Sequence, residues 1–505
     1  MIQKLLLVVL GCMLNSALFA NAPTHQPRRI TATFSLQIVT ENQSLDRKND
    51  LKYWAFLPQE WSNQKNVKIL EMHPKPNKKA AMSDEHGTLA YWDFSKRKEA
   101  TNLTVQIRFT ADLYHDEHAI DPQAVPDGHR FDDRELVAYL SNDSLAFITP
   151  EIQEISNEVT RNVSDPFLKV RNIFRWVLLH MEHQFPVMQR GTRTILANAL
   201  NEQQSVFGGD SAEYTWLFVA LCRAAHIPAR PVVGFLAKEG WETPHTWAEF
   251  YLPAHGWIPS DVFLADSKEM IAEFSNGNDQ FYYMGSLDNY HLVFYKGSLM
   301  PLQPNCPYSS EPFVSANRIW YAPVGILNFA KFTNVNAFLH VENSAFLTET
   351  YINPEFGIEM HLGRIWLLHK VEDLGLYFLK EHFTNEDKTI SLTLVGRNLP
   401  ANQRTISVDQ AVDLEIQTLE RTDERYHVLS KQNHDINGKT WRHLIATTES
   451  QGAKQKEMRA YLVIDGSLYW IIISAPQKIY SKHEKLFGKI VQQLKIEPPN
   501  RRTIE

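Results

Sequence analysis

The chain has 505 residues, with 44% hydrophobic and 22% charged side chains and a formal net charge of −7. That length exceeds what one hydrophobic core organises, so two to four domains are expected. The composition is that of an ordinary soluble globular protein, and the lack of any lysine- and arginine-rich stripe argues against a nucleic-acid partner.

Residues 1–20 read as a signal peptide: Lys4 supplies the charged start, LLLVVL opens the apolar run, and small residues precede a cut after Ala20. The competing lipoprotein reading, with VLGC ending at Cys12, is disfavoured by the bulk of Leu10 and the short apolar run. No later stretch reaches the ~18 apolar residues of a membrane helix, so the sequence predicts no transmembrane segment and an exported product, periplasmic or secreted. Removal of the leader leaves Cys222 and Cys306, too few for a disulfide framework, and both are expected as free thiols.

Residues 28–113 read as a β-sandwich. RRITATFSLQIV alternates, with Ile30, Ala32, Phe34, Leu36 and Ile38 on one face, and LKYWAFLP, TLAYWDF and LTVQIRFTADL follow between turn-rich segments. Residues 114–135 are rich in Pro, Asp and His without periodicity and read as a linker. The next domain, 136–325, opens with helices: Thr149 precedes Pro150, and Asp165 precedes Pro166, each a cap followed by proline at the first helical position. FGGDSAEYTWLFVALCRAAHIPAR (207–230) follows, with Tyr214, Leu217, Phe218, Leu221 and Ala225 at helical spacing and a stop at His226 before Pro228. The period then changes to two in PVVGFLA, HTWAEFYL and GWIPSDVF, which predict consecutive antiparallel strands. Residues 264–325 read as mixed loop and strand.

Residues 340–505 form a separate small α/β pattern. FGIEMHL, TISLTLVG, HVLSKQN, WRHLIATT, MRAYLVID and LYWIIISA are predicted strands, with Asn437-Gly438 and Asp465-Gly466 as hairpin turns. SVDQAVDLEIQTLER and KHEKLFGKIVQQLKI are predicted helices. The fold class is therefore multidomain α+β: N-terminal β-sandwich, central helix-plus-meander core and C-terminal α/β domain.

Three polar residues of the central part stand at special points. Ser211 follows Gly208-Gly209-Asp210 and opens a helix, where unsatisfied N–H groups and the helix dipole favour developing negative charge. His245 begins one predicted strand and Asp261 ends the next, so adjacent strands can bring an imidazole and an orienting carboxylate together. A nucleophile, a base and an acid so distributed form a triad of the cysteine-protease kind. Taken as a single residue, Ser211 reads first as a plain N-cap; the linked pattern through Asp261 is what favours a site.

GDSAEYTWLFVALCRAAHIPARPVVGF together with HTWAEFYLPAHGWIPSDVF resembles the core of the transglutaminase-like superfamily of papain-like thiol enzymes. The resemblance rests on Gly209-Asp210-Ser211, Arg223, Ile227-Pro228-Ala229-Arg230, His245-Thr246-Trp247-Ala248-Glu249, Gly256-Trp257 and Asp261, and extends to MGSLDNYHL (284–292). It implies a papain-like fold, chemistry at amide carbonyls through an acyl-enzyme, and a peptide or protein amide as substrate or ligand. It also implies that Ser211, His245 and Asp261 hold the catalytic positions, with Ser211 where the family has cysteine. His226 stands where the family usually has glycine. Trp247 and Trp257 are the candidate substrate-binding residues, although packing is the plainer role for both. Glu249 is expected to pair with Arg223 or Arg230.

A thiol is ionised at a helix N-terminus beside an imidazole, whereas a serine must lose its proton as it attacks. Three readings stay open: a catalytically impaired relative that binds amides in the ancestral cleft; an acyl-transfer enzyme using Ser211, His245 and Asp261; and an envelope scaffold acting through its flanking domains. Cys222 lies about 16 Å along the helix from Ser211 and cannot replace it. His115 with His118, and His180 with His183, lack a third ligand, so no metal and no cofactor are expected. The C-terminal pattern resembles the P-proteins of the photosystem oxygen-evolving complex and related bacterial lipoproteins.

Overall fold

RRITATFSLQIV forms the strand Arg28–Val39, in which Ile30, Ala32, Phe34 and Leu36 are fully buried and Thr31 and Thr33 face the other way, half-buried. The computed structural model describes residues 26–39, 52–81, 87–94, 102–118, 120, 134–143, 145–185, 190–202, 206–253, 255–274, 280–297, 319–322, 325–328, 334–353, 356–369, 371, 374, 377–450 and 452–497. The leader 1–20, Cys12 and Cys306 lie outside them; Cys222 is a free, buried thiol. The chain divides into two compact units, one of residues 30–343 and one combining 26–29 with 344–505.

In the unit 30–343, Arg28–Val39 lies beside Asn102–Leu113, which pairs antiparallel with Gln64–His73. A second sheet contains Lys52–Leu57, Thr88–Asp93 and Lys78–Ala81, extended by Gly325–Asn328 and Ile319–Ala322. Phe34 and Phe109 from the first sheet and Trp54 and Trp92 from the second fill one buried cluster. The stretch expected to be a linker contributes a short strand, Asp116–Glu117, paired with Ser286–Leu287; two residues are too few to give a periodic signal.

Helices Pro150–Val159 and Pro166–His180 start at the expected caps: Thr149 accepts from the Ile152 N–H at 3.3 Å and Asp165 from the Leu168 N–H at 2.6 Å. Four α-helices among the described residues were not anticipated, the short Arg134–Val137 being the first. TRTILANALNE forms Thr192–Glu202 although its apolar stripe is thin, and Val262–Asp266 and Lys268–Phe274 occupy ground read as strand and loop.

The helix Ser211–Ala224 lies on a four-stranded antiparallel sheet ordered Gly256–Ser260, Pro244–Leu252, Ala229–Leu236, His291–Lys296. Val232, Leu236 and Val293 point toward the helix cluster with Leu217, Phe218 and Leu221, while Phe235, Leu292 and Phe294 join the N-terminal cluster. Burial on both faces explains why these strands read as nearly continuous apolar runs. A Cβ on Gly234 would lie 1.8 Å from the Leu292 carbonyl oxygen, so glycine is required for His291–Lys296 to close against this strand.

In the other unit, an antiparallel sheet runs His427–Ile436, Lys439–Ser450, Ala453–Ile464, Ser467–Pro476, Ser391–Asn398, Leu379–Thr384, Ile358–His369, then the end of Asn334–Asn353. Both hairpin turns have paired positive φ, 53° and 71° at Asn437-Gly438 and 48° and 72° at Asp465-Gly466. Helix Gln477–Gln492 packs Tyr480, Phe487 and Ile490 on one sheet face, and Val408–Thr422 packs Ala411, Val412 and Ile416 on the other. The last helix begins at Gln477, ahead of the expected Lys482, because Pro476 ends the preceding strand and opens the helix directly. Asn334–Asn353 and Leu379–Thr384 are further strands, missed because charged and polar residues interrupt their alternation. Among the described residues, no helix is long and apolar enough to cross a membrane.

Candidate active site

A short parallel pair, Met181–His183 with Phe207–Gly209, delivers the chain to the helix Ser211–Ala224. At Gly209 a Cβ would meet the Cβ of Glu213 at 2.3 Å, so the bend admits only glycine. Asp210 is the cap: its carboxylate accepts from the Ala212 N–H at 2.9 Å, and Glu213 Oε2 accepts from the Asp210 N–H at 3.3 Å, completing a capping box. Arg190 Nη1 lies 2.7 Å from both Asp210 Oδ2 and Glu213 Oε2. Ser211 is thus the first helical residue and not the N-cap. Burial, reinforced by the Asp210 charge and opposed by Arg190, pushes the Glu213 carboxyl up to about 8.

The helix and the strand Pro244–Leu252 meet at Ser211. Its Oγ accepts the Thr246 N–H at 3.3 Å, and Thr215 Oγ1 sits 2.8 Å from the Ser211 carbonyl oxygen and 2.9 Å from that of Thr246. One residue along, His245 Nε2 lies 2.5 Å from Asp261 Oδ2, leaving Nδ1 as its second ring nitrogen. Ser211 is 8% exposed and His245 3%, so both are buried.

The strand holding Asp261's predecessors stops at Ser260. Asp261 itself caps Val262–Asp266, its Oδ1 accepting from the Leu264 N–H at 3.0 Å, because a free carboxylate after a strand satisfies orphan helix donors. Burial alone would raise the Asp261 carboxyl, but the charges and hydrogen bonds of His245 and His291 outweigh it and hold it well below the usual carboxylate range.

His291 was not anticipated. Its Nε2 lies 3.0 Å from Asp261 Oδ2 and its Nδ1 3.0 Å from Asp288 Oδ1, and all three residues are fully buried. Asp288 also accepts from Tyr283 Oη at 3.0 Å and from the Tyr290 N–H at 2.8 Å. Burial disfavours the His291 cation, but the two flanking carboxylates raise its pKa to about 10. The Asp288–His291 spacing of three residues was visible in MGSLDNYHL, yet a lone histidine on a buried strand carries no sign of its partners. His245, Asp261 and His291 place three donor atoms within 4.8 Å of one another. Both His291 nitrogens and His245 Nε2 already face carboxylate oxygens, which makes the cluster a closed hydrogen-bond network.

Trp247 is 1% exposed and stacks on His245, with ring centroids 5.9 Å apart and an interplanar angle of 22°. Trp257 lies under the Arg230 guanidinium, 3.9 Å from Cζ to the ring centroid. Glu249 pairs with Arg230 at 2.8 Å and with Lys296, while Arg223 binds Asp143 at 2.6 Å; of the two arginines expected for Glu249, geometry selects Arg230. His118 contacts Asp116 at 3.1 Å, and His180 Nδ1 lies 2.8 Å from the Trp176 carbonyl oxygen.

Residues 153–262 match the model of the transglutaminase-like superfamily, and residues 328–496 match that of PsbP-like proteins, so the chain carries a transglutaminase-like domain and a PsbP-like C-terminal region. A comparison with curated proteins returns no match. Among solved structures, a candidate cysteine protease from Cytophaga hutchinsonii is 14% identical with a TM-score of 0.41, covering 63% of this chain and 91% of that one. Red sea bream transglutaminase is 11% identical with a TM-score of 0.25, covering 90% and 91%. Cyanobacterial PsbP (CyanoP) from Synechocystis is 11% identical with a TM-score of 0.26, covering 30% and 92%. At these scores the three likenesses carry no chemistry to this chain.

Proposed function

We propose that this is an exported protein whose transglutaminase-like domain binds a peptide or protein amide at Ser211, His245 and Asp261, with thiol-type catalysis lost through serine at the nucleophile position. The observation that carries the reading is the buried 2.5 Å pairing of His245 with Asp261, one residue from the Ser211 hydroxyl at a helix N-terminus. A serine there cannot exist as a standing anion, so the helix end and imidazole that would sustain a thiolate leave it a neutral hydroxyl. Trp247 acts through His245, fixing the ring from behind, and Trp257 belongs to the rim. The N-terminal sheets, read as a sandwich, and the PsbP-like region serve as adhesion or scaffold surfaces.

The test is Ser211→Cys, assayed against a peptide library with and without an amine acceptor. Gain of hydrolysis or amine transfer, expected at tens-fold or more over the native protein, marks an intact pocket lacking only its nucleophile. No gain in a folded variant sinks the reading.

The intact His245–Asp261 pair favours a second reading, slow acyl transfer by Ser211 itself. Oγ would bond to the amide carbonyl carbon as its proton passes to His245 Nδ1, and the same proton would leave with the expelled amine. Fluorophosphonate labelling of Ser211 that disappears in His245→Ala supports it, and no labelling of the native protein refutes it.

A further inference from the structure

Asp261 serves two imidazoles at once. His245 approaches it from the strand Pro244–Leu252 and His291 from the strand His291–Lys296, with their ring centroids 5.8 Å apart. On its far side His291 meets Asp288, which is held by Tyr283 Oη and the Tyr290 N–H. Carboxylates only accept when ionised, so a ring lodged between two of them satisfies both contacts only by donating from both nitrogens. A ring that donates from both nitrogens is an imidazolium.

We propose that His291 is a positioning residue of the Ser211 site: a buried ring, cationic at neutral pH, that cancels one of two carboxylate charges beside His245 and so keeps His245 a neutral base with its lone pair on Nδ1. This rests on the reading of Ser211, His245 and Asp261 as the amide-handling site and adds the charge state in which that site stands.

The charge count makes the argument. With Asp261 and Asp288 ionised and His291 cationic, the cluster presents one net negative charge to His245; without His291 it presents two. The charged and titratable groups facing the pair are Asp261 at the helix cap, Asp288 on the turn before the last strand, and Tyr283 and Tyr282 from the 3₁₀ turn Gln280–Tyr283. The Trp247 ring packs 4.9 Å from His291 by centroid, and the Phe263 ring 5.8 Å from His245. Both tyrosine hydroxyls are held neutral by burial and by Asp288. His291 is the cation that touches both carboxylates, and it supplies the balance. Nε2–H of a neutral His245 donates to Asp261, which leaves Nδ1 unprotonated. That is the state a serine hydroxyl needs, whereas a thiolate would need the imidazolium.

The experiment is histidine-ring ¹⁵N NMR across pH on the full-length native protein and on His291→Gln and His291→Lys. His291 is identified by its loss in the variants and His245 by its loss in His245→Gln. Both His291 nitrogens are expected to be protonated at pH 7; a neutral ring there overturns the proposal without any variant having to fold. In His291→Gln the midpoint of the His245 titration is expected to rise by about one to two pH units, as one extra charge at this separation and an effective dielectric of about 20 requires. In His291→Lys, which restores the charge, it is expected to return toward the native midpoint. An unmoved midpoint in folded His291→Gln overturns the proposal. So does stoichiometric zinc in the native protein that is lost in His291→Gln, since that would make the cluster a metal centre. Shifted titration with no fluorophosphonate labelling of Ser211 refutes serine acyl transfer and still supports the role of His291.

Discussion

Glu213 sits beneath the nucleophile position with Oε1 unpartnered and Oε2 shared by Arg190 and the Asp210 amide. An acid raised from 4.5 to about 8 holds a proton in the folded state that the unfolded chain releases. Its contribution to stability is present below pH 4.5 and is lost as pH rises through about 8. Glu213→Gln keeps the bond to the Asp210 N–H and removes the titration, so the fall in melting temperature between pH 5 and pH 8 is expected to shrink in the variant. Residues of this kind differ in how openly the sequence shows them. Ser211 is marked by two glycines, an acid and the start of a helical stripe, and Asp261 by its place at the end of a predicted strand. His291 and Asp288 give no such mark, because a buried polar residue becomes visible as one only when its partners, here 30 and 3 residues away, are known.

Helix ends proved more legible than strand ends, since a cap is local chemistry and a strand needs a neighbour. Thr149 and Asp165 cap where their spacing from the following prolines says they should, and Ser407, read as the first residue of a helix, is its cap. Asp261 looked like the end of a strand because GWIPSDVF alternates through it, and only the fold reveals that the alternation stops at Ser260. The end of the helix Ser211–Ala224 offers a direct test. His226 is exposed and holds φ at 61°, and the Ile227 N–H closes the turn on the Cys222 carbonyl at 2.9 Å. A β-branched side chain is strained there, so His226→Val is expected to lower stability by roughly 1–2 kcal/mol. His226→Gly is expected to stay within about 1 kcal/mol of the native protein, relief of strain offsetting the looser unfolded chain. Chemical denaturation of both variants measures the contrast.

For the chain as a whole, the buried charges of the unit 30–343 set a window of acidity. Glu249, lowered to about 2 by Lys296 and Arg230 against the pull of burial, stabilises above 4.5 and ceases to as pH falls through about 2. Asp261 and Asp288, both held low against burial by their histidines, weaken on the same side. His291 acts in the opposite direction: its contribution is complete below 6.5 and is lost as pH rises through about 10. Thermal unfolding of the native protein is expected to show its highest midpoint between about pH 4.5 and 6.5, and His291→Gln to shrink the alkaline decline to the part that Glu213 sets. The broad plan, β-rich start, helix-and-meander middle and α/β end, was readable because each part keeps one period for tens of residues. The partition of the chain was not, because it falls inside two strands, between Arg29 and Ile30 and between Asn343 and Ser344. Gln26–Arg29 belong with the C-terminal unit, where the Pro27 carbonyl accepts the Leu347 N–H at 2.7 Å and Arg28 Nη1 reaches Ser344 Oγ at 3.0 Å. Protein synthesis therefore releases one edge of that unit before residues 30–343 and the remainder only after them. The first-made segment waits for the last, and a fragment begun at residue 344 would be born without its opening stitch.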